Sequence, residues 1–224
     1  MFGAWQAGVW STLSASFLPD LIVGASVGAL NGYAIASGWR PEELSEFWQR
    51  SDGVGFEQLQ ATARFLTSRP LQTDYAVVLV DLFRMSPVTN RNSDVTWRHL
   101  MASCAVPGVM LPIRIDGRWF LDGGLLNPLP IWAATELGAT EIVAVNALPD
   151  IPSAILKPFV KGFRAVFGHN PPRPSEVSLT TLLPSERLGS LQDAIRWKHE
   201  NAVRWLEQGR EDAKNISIPK CLER

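Results

Sequence analysis

The segment that most constrains how this chain can fold lies at residues 21–31, Leu-Ile-Val-Gly-Ala-Ser-Val-Gly-Ala-Leu-Asn. Residues 21–23 form a short aliphatic run typical of a buried strand, and residues 24–28 follow directly as a G-x-S-x-G pattern. The Ala, Leu, Tyr and Ile residues after this pattern suit a buried helix. A strand, a sharp turn and a helix give G-x-S-x-G its chemical meaning, because the serine is then held in a strained turn. We therefore predict that Ser26 occupies such an elbow.

The start of the predicted helix offers the surroundings that a reacting serine needs. Gly24 and Gly28 lack the Cβ atoms that would keep strand and helix apart. Unpaired backbone N–H groups and the positive end of the helix dipole favour an oxyanion developing beside Ser26. The N–H of Val27, the residue after the serine, is the first expected donor. Ser26 is thus the candidate nucleophile.

Two other interpretations of this segment compete with the elbow. A G-x-S-x-G pattern also arises by chance, since glycine and serine are common residues. Residues 21–39 carry no charge, which would fit a membrane-spanning helix. The glycines of that span, together with Ser26, Asn31 and Ser37, argue against such a helix. The elbow accounts for the same residues better.

The composition predicts one α/β domain over residues 1–224. The chain is 46% hydrophobic and 19% charged, enough for one substantial core. A formal net charge of −1 gives no electrostatic reason to expect nucleic-acid binding. Cys104 and Cys221 form no C-x-x-C motif, so we predict no disulfide framework, metal site or cofactor. Because the first basic residue is Arg40, we expect no signal peptide and a cytoplasmic or membrane-peripheral protein.

Short apolar strands alternate with helical segments along the chain. The predicted strands cover residues 21–23, 75–83, 113–115, 118–121, 141–145 and 177–183. The predicted helices cover residues 3–16, 26–37, 41–50, 93–104, 130–138 and 189–209, whereas residues 51–73 are ambiguous. This alternation predicts a mainly parallel sheet with helices on both faces.

A second glycine-rich motif follows a predicted hairpin. The Asp-Gly pair at residues 116–117 is the strongest short hairpin signal in the chain. The second arm of this hairpin leads into Asp-Gly-Gly at residues 122–124. Alone, Asp-Gly-Gly is an ordinary turn sequence. Combined with the elbow, it offers a candidate partner for Ser26.

The two motifs in this order resemble those of the patatin-like phospholipases. Residues 102–108, Ala-Ser-Cys-Ala-Val-Pro-Gly, and residues 115–124, Ile-Asp-Gly-Arg-Trp-Phe-Leu-Asp-Gly-Gly, add to the resemblance. It extends from about Gly3 to Leu148 and is weaker over residues 149–224. The resemblance implies a three-layer α/β sandwich and a hydrolase of acyl-ester lipids that needs no cofactor.

In this family a serine and an aspartate form a catalytic dyad without histidine. Carried over to this chain, the resemblance implies Ser26 as the nucleophile and Asp122 as the base and then the acid. Gly123 and Gly124 complete the second motif. The residue types fit the reaction, because a serine hydroxyl needs a base to accept its proton as it attacks an ester carbonyl.

The family pattern also includes an oxyanion loop of the form G-G-G-x-R/K-G. Only its last glycine has a match here, Gly3, and Phe2 stands where a basic residue is usual. The pattern therefore predicts a first strand and further glycines on the amino side of Met1. The alternative is a catalytically inactive lipid-binding or regulatory protein with an incomplete oxyanion hole, since one lost donor costs about 100- to 1,000-fold in rate.

A Ser-His-Asp triad of the α/β-hydrolase type is the rival within the enzyme class. Its chain order is available as Ser26, Asp122 and either His169 or His199. That fold normally places several strands before its nucleophile, and this chain has room for one at most before residue 21. His99 is expected to be structural.

The C-terminal part contains a basic amphipathic segment at residues 154–167. Lys157, Lys161 and Arg164 fall on the face opposite its apolar residues. Such a segment predicts peripheral contact with an anionic membrane. A helix that covers the sheet is the alternative.

Overall fold

The computed structural model describes residues 2–50, 56–148, 176–190, 193, 198–214 and 216. Its helices are α1 (Gly3–Leu13), α2 (Val27–Ala36), α3 (Pro41–Arg50), α4 (Phe56–Thr67), α5 (Trp97–Ser103), α6 (Ile131–Glu136) and α7 (His199–Lys214). Its strands are β1 (Leu21–Gly24), β2 (Asp74–Asp81), β3 (Ser86–Arg91), β4 (Ile113–Ile115), β5 (Arg118–Asp122), β6 (Glu141–Val145) and β7 (Ser178–Leu182). The predicted α/β class is confirmed.

The main sheet has five strands in the order β1-β2-β5-β4, with β3 paired to β2. β1 runs parallel to β2, whereas the β2–β3, β2–β5 and β4–β5 pairs are antiparallel. The sheet is therefore mixed, and the expectation of a mainly parallel sheet was wrong in this respect. Short turns join β2 to β3 and β4 to β5, and only antiparallel strands can be joined in this way.

Strand β3 was missed by the sequence analysis. Its sequence, Ser-Pro-Val-Thr-Asn-Arg, contains Pro87 and Asn90, which are disfavoured in strands. β3 forms because it lies opposite most of β2, from Ala76 to Asp81. The pairing partner, and not local propensity, decides this strand.

The alternating side chains of β2 pack against helices on both faces of the sheet. Tyr75, Val77 and Leu79 belong to the large core that includes residues of α2 and α5. Val78 points to the other face, where it packs with Trp132 of α6. The result is a three-layer arrangement of helix, sheet and helix.

Strands β6 and β7 form a separate parallel pair, and a cavity of about 640 Å³ lies between β6 and β1. Residues of α1 and α2 line one side of this cavity, and residues of α6 line another. Within the described part of the chain, β1 pairs only with β2 and β6 only with β7. The first strand expected on the amino side of Met1 stays a prediction.

The cavity runs between two strands that point the same way. The Gln6 side chain donates to the carbonyl of Val145, at the end of β6, with an N–O distance of 3.3 Å. The same amide lies beside Gly28, in the first turn after β1. The carboxyl ends of β1 and β6 therefore lie at the same end of the cavity.

Helix α7 packs closely against α1. A Cβ added to Gly8 would lie 2.1 Å from the carbonyl oxygen of Leu206, and one added to Gly209 would lie 2.1 Å from that of Trp5. The indole of Trp5 also donates to Asp212 at 2.7 Å. These contacts join the last described helix to the first, although the single-domain assignment over residues 1–224 stays a prediction.

Candidate active site

Ser26 lies between β1 and α2, in the turn that the sequence predicted. Its backbone angles are φ 54° and ψ −134°, in a region that residues with a side chain rarely occupy. The side chain is half-buried. This strained conformation places the serine directly before the first turn of α2.

The two glycines of the elbow are not equivalent. A Cβ on Gly24 would lie 2.5 Å from the carbonyl oxygen of Gly28 and 2.6 Å from the Cα of Ala29. A Cβ on Gly28 would meet nothing closer than the Gln6 amide at 3.6 Å, an ordinary contact. The close approach of strand and helix therefore depends on Gly24, and the same expectation for Gly28 was wrong.

The first turn of α2 presents one backbone donor beside Ser26. The N–H of Gly28 donates to Ala25, and the N–H of Ala29 donates to Ser26. Among the described residues, the N–H of Val27 has no hydrogen-bond acceptor. This N–H therefore lies beside Ser26 without an acceptor in the described part of the chain, and its oxyanion role stays a prediction.

Strand pairing brings Asp122 close to the elbow. β1 pairs with β2 as far as its last residue, Gly24, which lies opposite Val77. β5 also pairs with β2, and its last residue, Asp122, lies opposite Leu79. Both strands occupy the same edge of β2, because β3 covers the other edge. The carboxyl ends of β1 and β5 thus approach each other head-on, with Val78 between them.

Gly123 makes this approach possible. A Cβ added to Gly123 would lie 2.0 Å from the carbonyl oxygen of Val78 and 3.3 Å from the Cβ of Ala25. Ser26 and Asp122 each lie one residue away from this contact. A side chain at Gly123 would push the two motifs apart.

The carboxyl group of Asp122 is buried and held by its own motif. Only 6% of the residue is exposed, and Oδ1 accepts a hydrogen bond from the N–H of Gly124 at 2.7 Å. A Cβ on Gly124 would lie 3.0 Å from this oxygen, so the glycine keeps the turn tight. Burial, and then the Asp122 charge, raise the pKa of the neighbouring Cys104 thiol far above its usual range. Cys104 is therefore a neutral thiol and a poor nucleophile.

Ser103, to which the sequence analysis gave no role, connects the two motifs. Its hydroxyl accepts a hydrogen bond from the N–H of Ser26 at 2.9 Å and donates one to the carbonyl of Val78 at 2.9 Å. Its carbonyl accepts from Gly123 at 3.4 Å, and the carbonyl of Ala105 accepts from the N–H of Asp122 at 3.1 Å. The end of α5 therefore braces the serine and the aspartate together. The Ala-Ser-Cys-Ala stretch at residues 102–105 was the available signal.

Gly3, the expected remnant of the oxyanion loop, lies at the start of α1. Its carbonyl accepts from the side-chain amide of Asn31 at 2.9 Å. A Cβ on Gly3 would lie 2.2 Å from Cγ2 of Val27 and 2.3 Å from the ring of Trp48. Gly3 is thus packed against the residue after the serine, while its oxyanion role stays a prediction.

The described histidines make contacts elsewhere in the molecule. Nδ1 of His99 accepts from the N–H of Thr96 at 3.1 Å and caps α5. Nδ1 of His199 lies 2.9 Å from the carbonyl oxygen of Gln49. His169 lies outside the described residues, as do Lys157, Lys161, Arg164 and Cys221.

Neither a metal-ion cluster nor a membrane-spanning helix occurs among the described residues. No group of three or more His, Cys, Asp or Glu side chains there is arranged to hold a metal ion. None of the helices described is both long enough and apolar enough to cross a membrane.

The family model described as Patatin-like phospholipase matches residues 1–67 and 52–135, which is more than half of the chain. The chain belongs to the patatin-like phospholipase family. The matched residues include the elbow at Ser26 and the Asp-Gly-Gly motif at Asp122. The family and the α/β sandwich that the sequence analysis expected are both confirmed.

Several relatives belong to the NTE proteins. This patatin-like chain is 24% identical over 167 residues to the lysophospholipase NTE1 of Meyerozyma guilliermondii, covering 64% of the chain and 12% of the relative. For the lysophospholipase NTE1 of Candida albicans the identity is 24% over 168 residues, with the same coverages. An uncharacterized NTE family protein of Mycobacterium tuberculosis is 43% identical over 47 residues, or 21% of the chain and 13% of the relative. The chain therefore spans only a small part of each relative's length.

Proposed function

We propose that this patatin-like chain is a serine hydrolase of acyl-ester lipids. Ser26 acts as the nucleophile and Asp122 as the base that activates it. The proposal rests on the observation that the two motifs meet at one point of the sheet. Gly123 lies against Ala25, and the Ser103 hydroxyl accepts a hydrogen bond from the N–H of Ser26.

The proposed reaction has two steps. Ser26 Oγ attacks the carbonyl carbon of the ester, and its proton passes to Asp122. The bond to the alcohol breaks, the alcohol takes the proton from Asp122, and the acyl group stays on Ser26. Water then attacks this acyl-enzyme and gives a proton to Asp122. The bond between the acyl group and Ser26 Oγ breaks, Oγ takes the proton from Asp122, and the fatty acid is released.

Electrostatic support for the oxyanion comes from the first turn of α2. The N–H of Val27 is the proposed first donor, because it has no acceptor within the described residues. Gly3, packed against Val27, is the proposed position of the second donor. The strained backbone of Ser26 keeps the hydroxyl beside this turn.

Lysophospholipids are the first substrates to test. The relatives from Meyerozyma guilliermondii and Candida albicans are named lysophospholipases, and the family is named for phospholipids. A lysophospholipid carries one acyl ester, so its hydrolysis gives one fatty acid that can be titrated directly.

The decisive experiment is covalent labelling with a fluorophosphonate. We expect one adduct, located on Ser26 by peptide mass spectrometry, and its loss in Ser26→Ala. Asp122→Asn should lower lysophospholipid turnover by several orders of magnitude, because the amide accepts no proton. His199→Ala serves as the matched control and should retain turnover. An adduct on another serine would contradict the proposal.

Two alternatives give different results in the same experiment. A folded protein that binds lipid vesicles but neither labels nor hydrolyses lysophospholipid would be a lipid-binding protein. Loss of turnover in a folded His169→Ala or His199→Ala variant would indicate a Ser-His-Asp triad.

A further inference from the structure

A set of exposed apolar side chains lies on the segments that are joined to β5, the strand that ends at Asp122. We call it the apolar rim, and it consists of Phe83, Val106, Val109, Leu111 and Trp119. Leu111 is 81% exposed and Phe83 is 78% exposed. Side chains of this size are rarely exposed in a group unless the group contacts another surface.

One part of the rim lies where β2 and β5 end their pairing. The N–H of Leu82 donates to the carbonyl of Trp119 at 2.8 Å, which places Phe83 beside Trp119. Trp119 precedes Asp122 by three residues in β5. These two aromatic side chains therefore lie near the amino end of β5, about 10 Å along the strand from Asp122 at its carboxyl end.

The other part of the rim is the loop between α5 and β4. Val106 follows Ala105, whose carbonyl accepts from the N–H of Asp122 at 3.1 Å. Leu111 lies two residues before Ile113, which pairs with Phe120 of β5. Both ends of this loop are thus fixed to the strand that carries Asp122, and its exposed apolar residues lie beside the site.

Arginine side chains accompany the rim. Arg84 follows Phe83 and is exposed, and the guanidinium of Arg114 lies 5.9 Å from the ring centroid of Trp119. Among the acidic residues nearby, Asp81 and Asp122 are buried, and Asp81 is bonded to Arg118, whereas Asp116 is exposed at the hairpin tip. Exposed arginines beside tryptophan and aliphatic side chains match the boundary between lipid phosphates and acyl chains.

We propose that the apolar rim inserts into a phospholipid surface and brings the acyl ester of a lipid to the serine elbow. This inference rests on the proposed function, because it names the surface from which that site takes its substrate. Shallow insertion of a few apolar side chains, with arginines at the phosphate level, is sufficient for reversible membrane binding. The rim is separate from the Lys157, Lys161 and Arg164 segment, which lies outside the described residues.

The test compares three matched variants in binding to phosphatidylcholine vesicles with and without phosphatidylglycerol. Leu111→Asp and Phe83→Asp place a charge in the rim, on two different segments. Leu18→Asp is the control, because Leu18 is also 81% exposed but precedes the amino end of β1, whereas Ser26 follows the carboxyl end of that strand. We expect the rim variants to bind vesicles on the order of tenfold more weakly than the parent and the Leu18 variant.

Two activity measurements separate this inference from the proposed function. Turnover of a water-soluble short-chain ester should be equal in the parent and the rim variants, whereas turnover of lysophospholipid in vesicles should fall with binding. If fluorophosphonate leaves Ser26 unlabelled but vesicle binding still depends on Leu111, the surface stands and the hydrolase proposal fails.

Other outcomes would overturn the inference. Equal vesicle binding by the parent, Leu111→Asp and Phe83→Asp would show that the rim does not contact lipid. Self-association that Leu111→Asp abolishes, with vesicle binding unchanged, would assign the rim to contact between copies of the chain.

Discussion

The backbone N–H of Ser26 donates to the hydroxyl of Ser103 at 2.9 Å, and the same hydroxyl donates to Val78 of the central strand. Ser26 occupies a conformation that is costly for a residue with a side chain, so it persists only if its surroundings hold it. Ser103 supplies part of that constraint from the end of α5. The proposed nucleophile is thus positioned by a residue 77 positions away in the sequence.

We expect Ser103→Ala to lower kcat for lysophospholipid by about 10- to 100-fold with a small change in KM. The substitution leaves the N–H of Ser26 and the carbonyl of Val78 without their partner, which costs about 1–3 kcal/mol and lets the elbow shift. Steady-state kinetics and the rate of fluorophosphonate labelling measure the effect.

Ser45→Ala is the matched control for this prediction. Ser45 is also buried, and its hydroxyl contacts Ser11 in the α1–α3 interface, away from the site. Ser103→Thr, which keeps the hydroxyl, should recover part of the rate. Equal rates for the Ser103 and Ser45 variants would mean that Ser103 is only structural.

Gly24→Ala should destabilise the protein by about 2 kcal/mol or more. The new Cβ would lie 2.5 Å from the carbonyl oxygen of Gly28, which forces β1 and α2 apart. Gly28→Ala adds the same methyl group 3.6 Å from its nearest neighbour and should leave the melting temperature nearly unchanged. Thermal unfolding of both variants checks the prediction, and equal melting temperatures would contradict it.

Stability should decrease as the pH falls below about 6.5, in part through His99. Burial lowers the pKa of His99 below its usual value, against the opposing effect of Asp116 and Asp94. The neutral ring accepts the N–H of Thr96 and caps α5. Because the unfolded chain binds this proton more readily, the contribution is complete above the unfolded pKa and is lost as the pH falls toward the lower folded pKa.

His99→Gln separates this effect from other titrations. Glutamine at the third position of the helix can still bond back to the N-cap, but it does not titrate. When the pH is lowered from about 7.5 to about 5, the melting temperature should fall less steeply for His99→Gln than for the parent. Parallel pH profiles would exclude His99 as the cause.

An added parallel strand should fit between β1 and β6. A five-residue strand fills a slab of roughly 16 by 5 by 10 Å, on the order of 800 Å³, which is comparable with the cavity of about 640 Å³. α1 starts beside Val27, near the carboxyl end of β1, and the chain after it leads back to the amino end of β1. It can therefore serve as the crossover helix of a βαβ unit. A Val- and Leu-rich segment with a short glycine linker, fused before Phe2, should raise the melting temperature.

The control for this fusion carries proline at two positions of the added strand. Proline removes the N–H groups that the edges of β1 and β6 would bind, so this version should not stabilise the protein. Amide exchange at Ile22 and Ile142 gives an independent measurement, since both residues lie in the strands that line the cavity. Equal melting temperatures for the two fusions would mean that the cavity does not accept a strand.

Local sequence determined the elements whose signals are short-range. The aliphatic run before Gly24 became β1, the Asp116-Gly117 pair became the turn of the β4–β5 hairpin, and residues 141–145 formed β6 as predicted. Both turn residues of the hairpin have positive φ angles, 47° and 82°. Glycine and aspartate tolerate positive φ angles better than most residues, so the sequence alone was enough to predict this turn.

Tertiary structure decided everything that depends on which strands meet. The pairing of Ser86–Arg91 with β2 made a strand from residues of low strand propensity and turned a predicted parallel sheet into a mixed one. The register of β5 on β2 brought Asp122 to the end of β1. Ser103 and the apolar rim have no local signature, because their contacts join segments far apart in the chain. Short-range patterns specify backbone conformation, whereas the partners of a buried hydroxyl exist only after packing is complete.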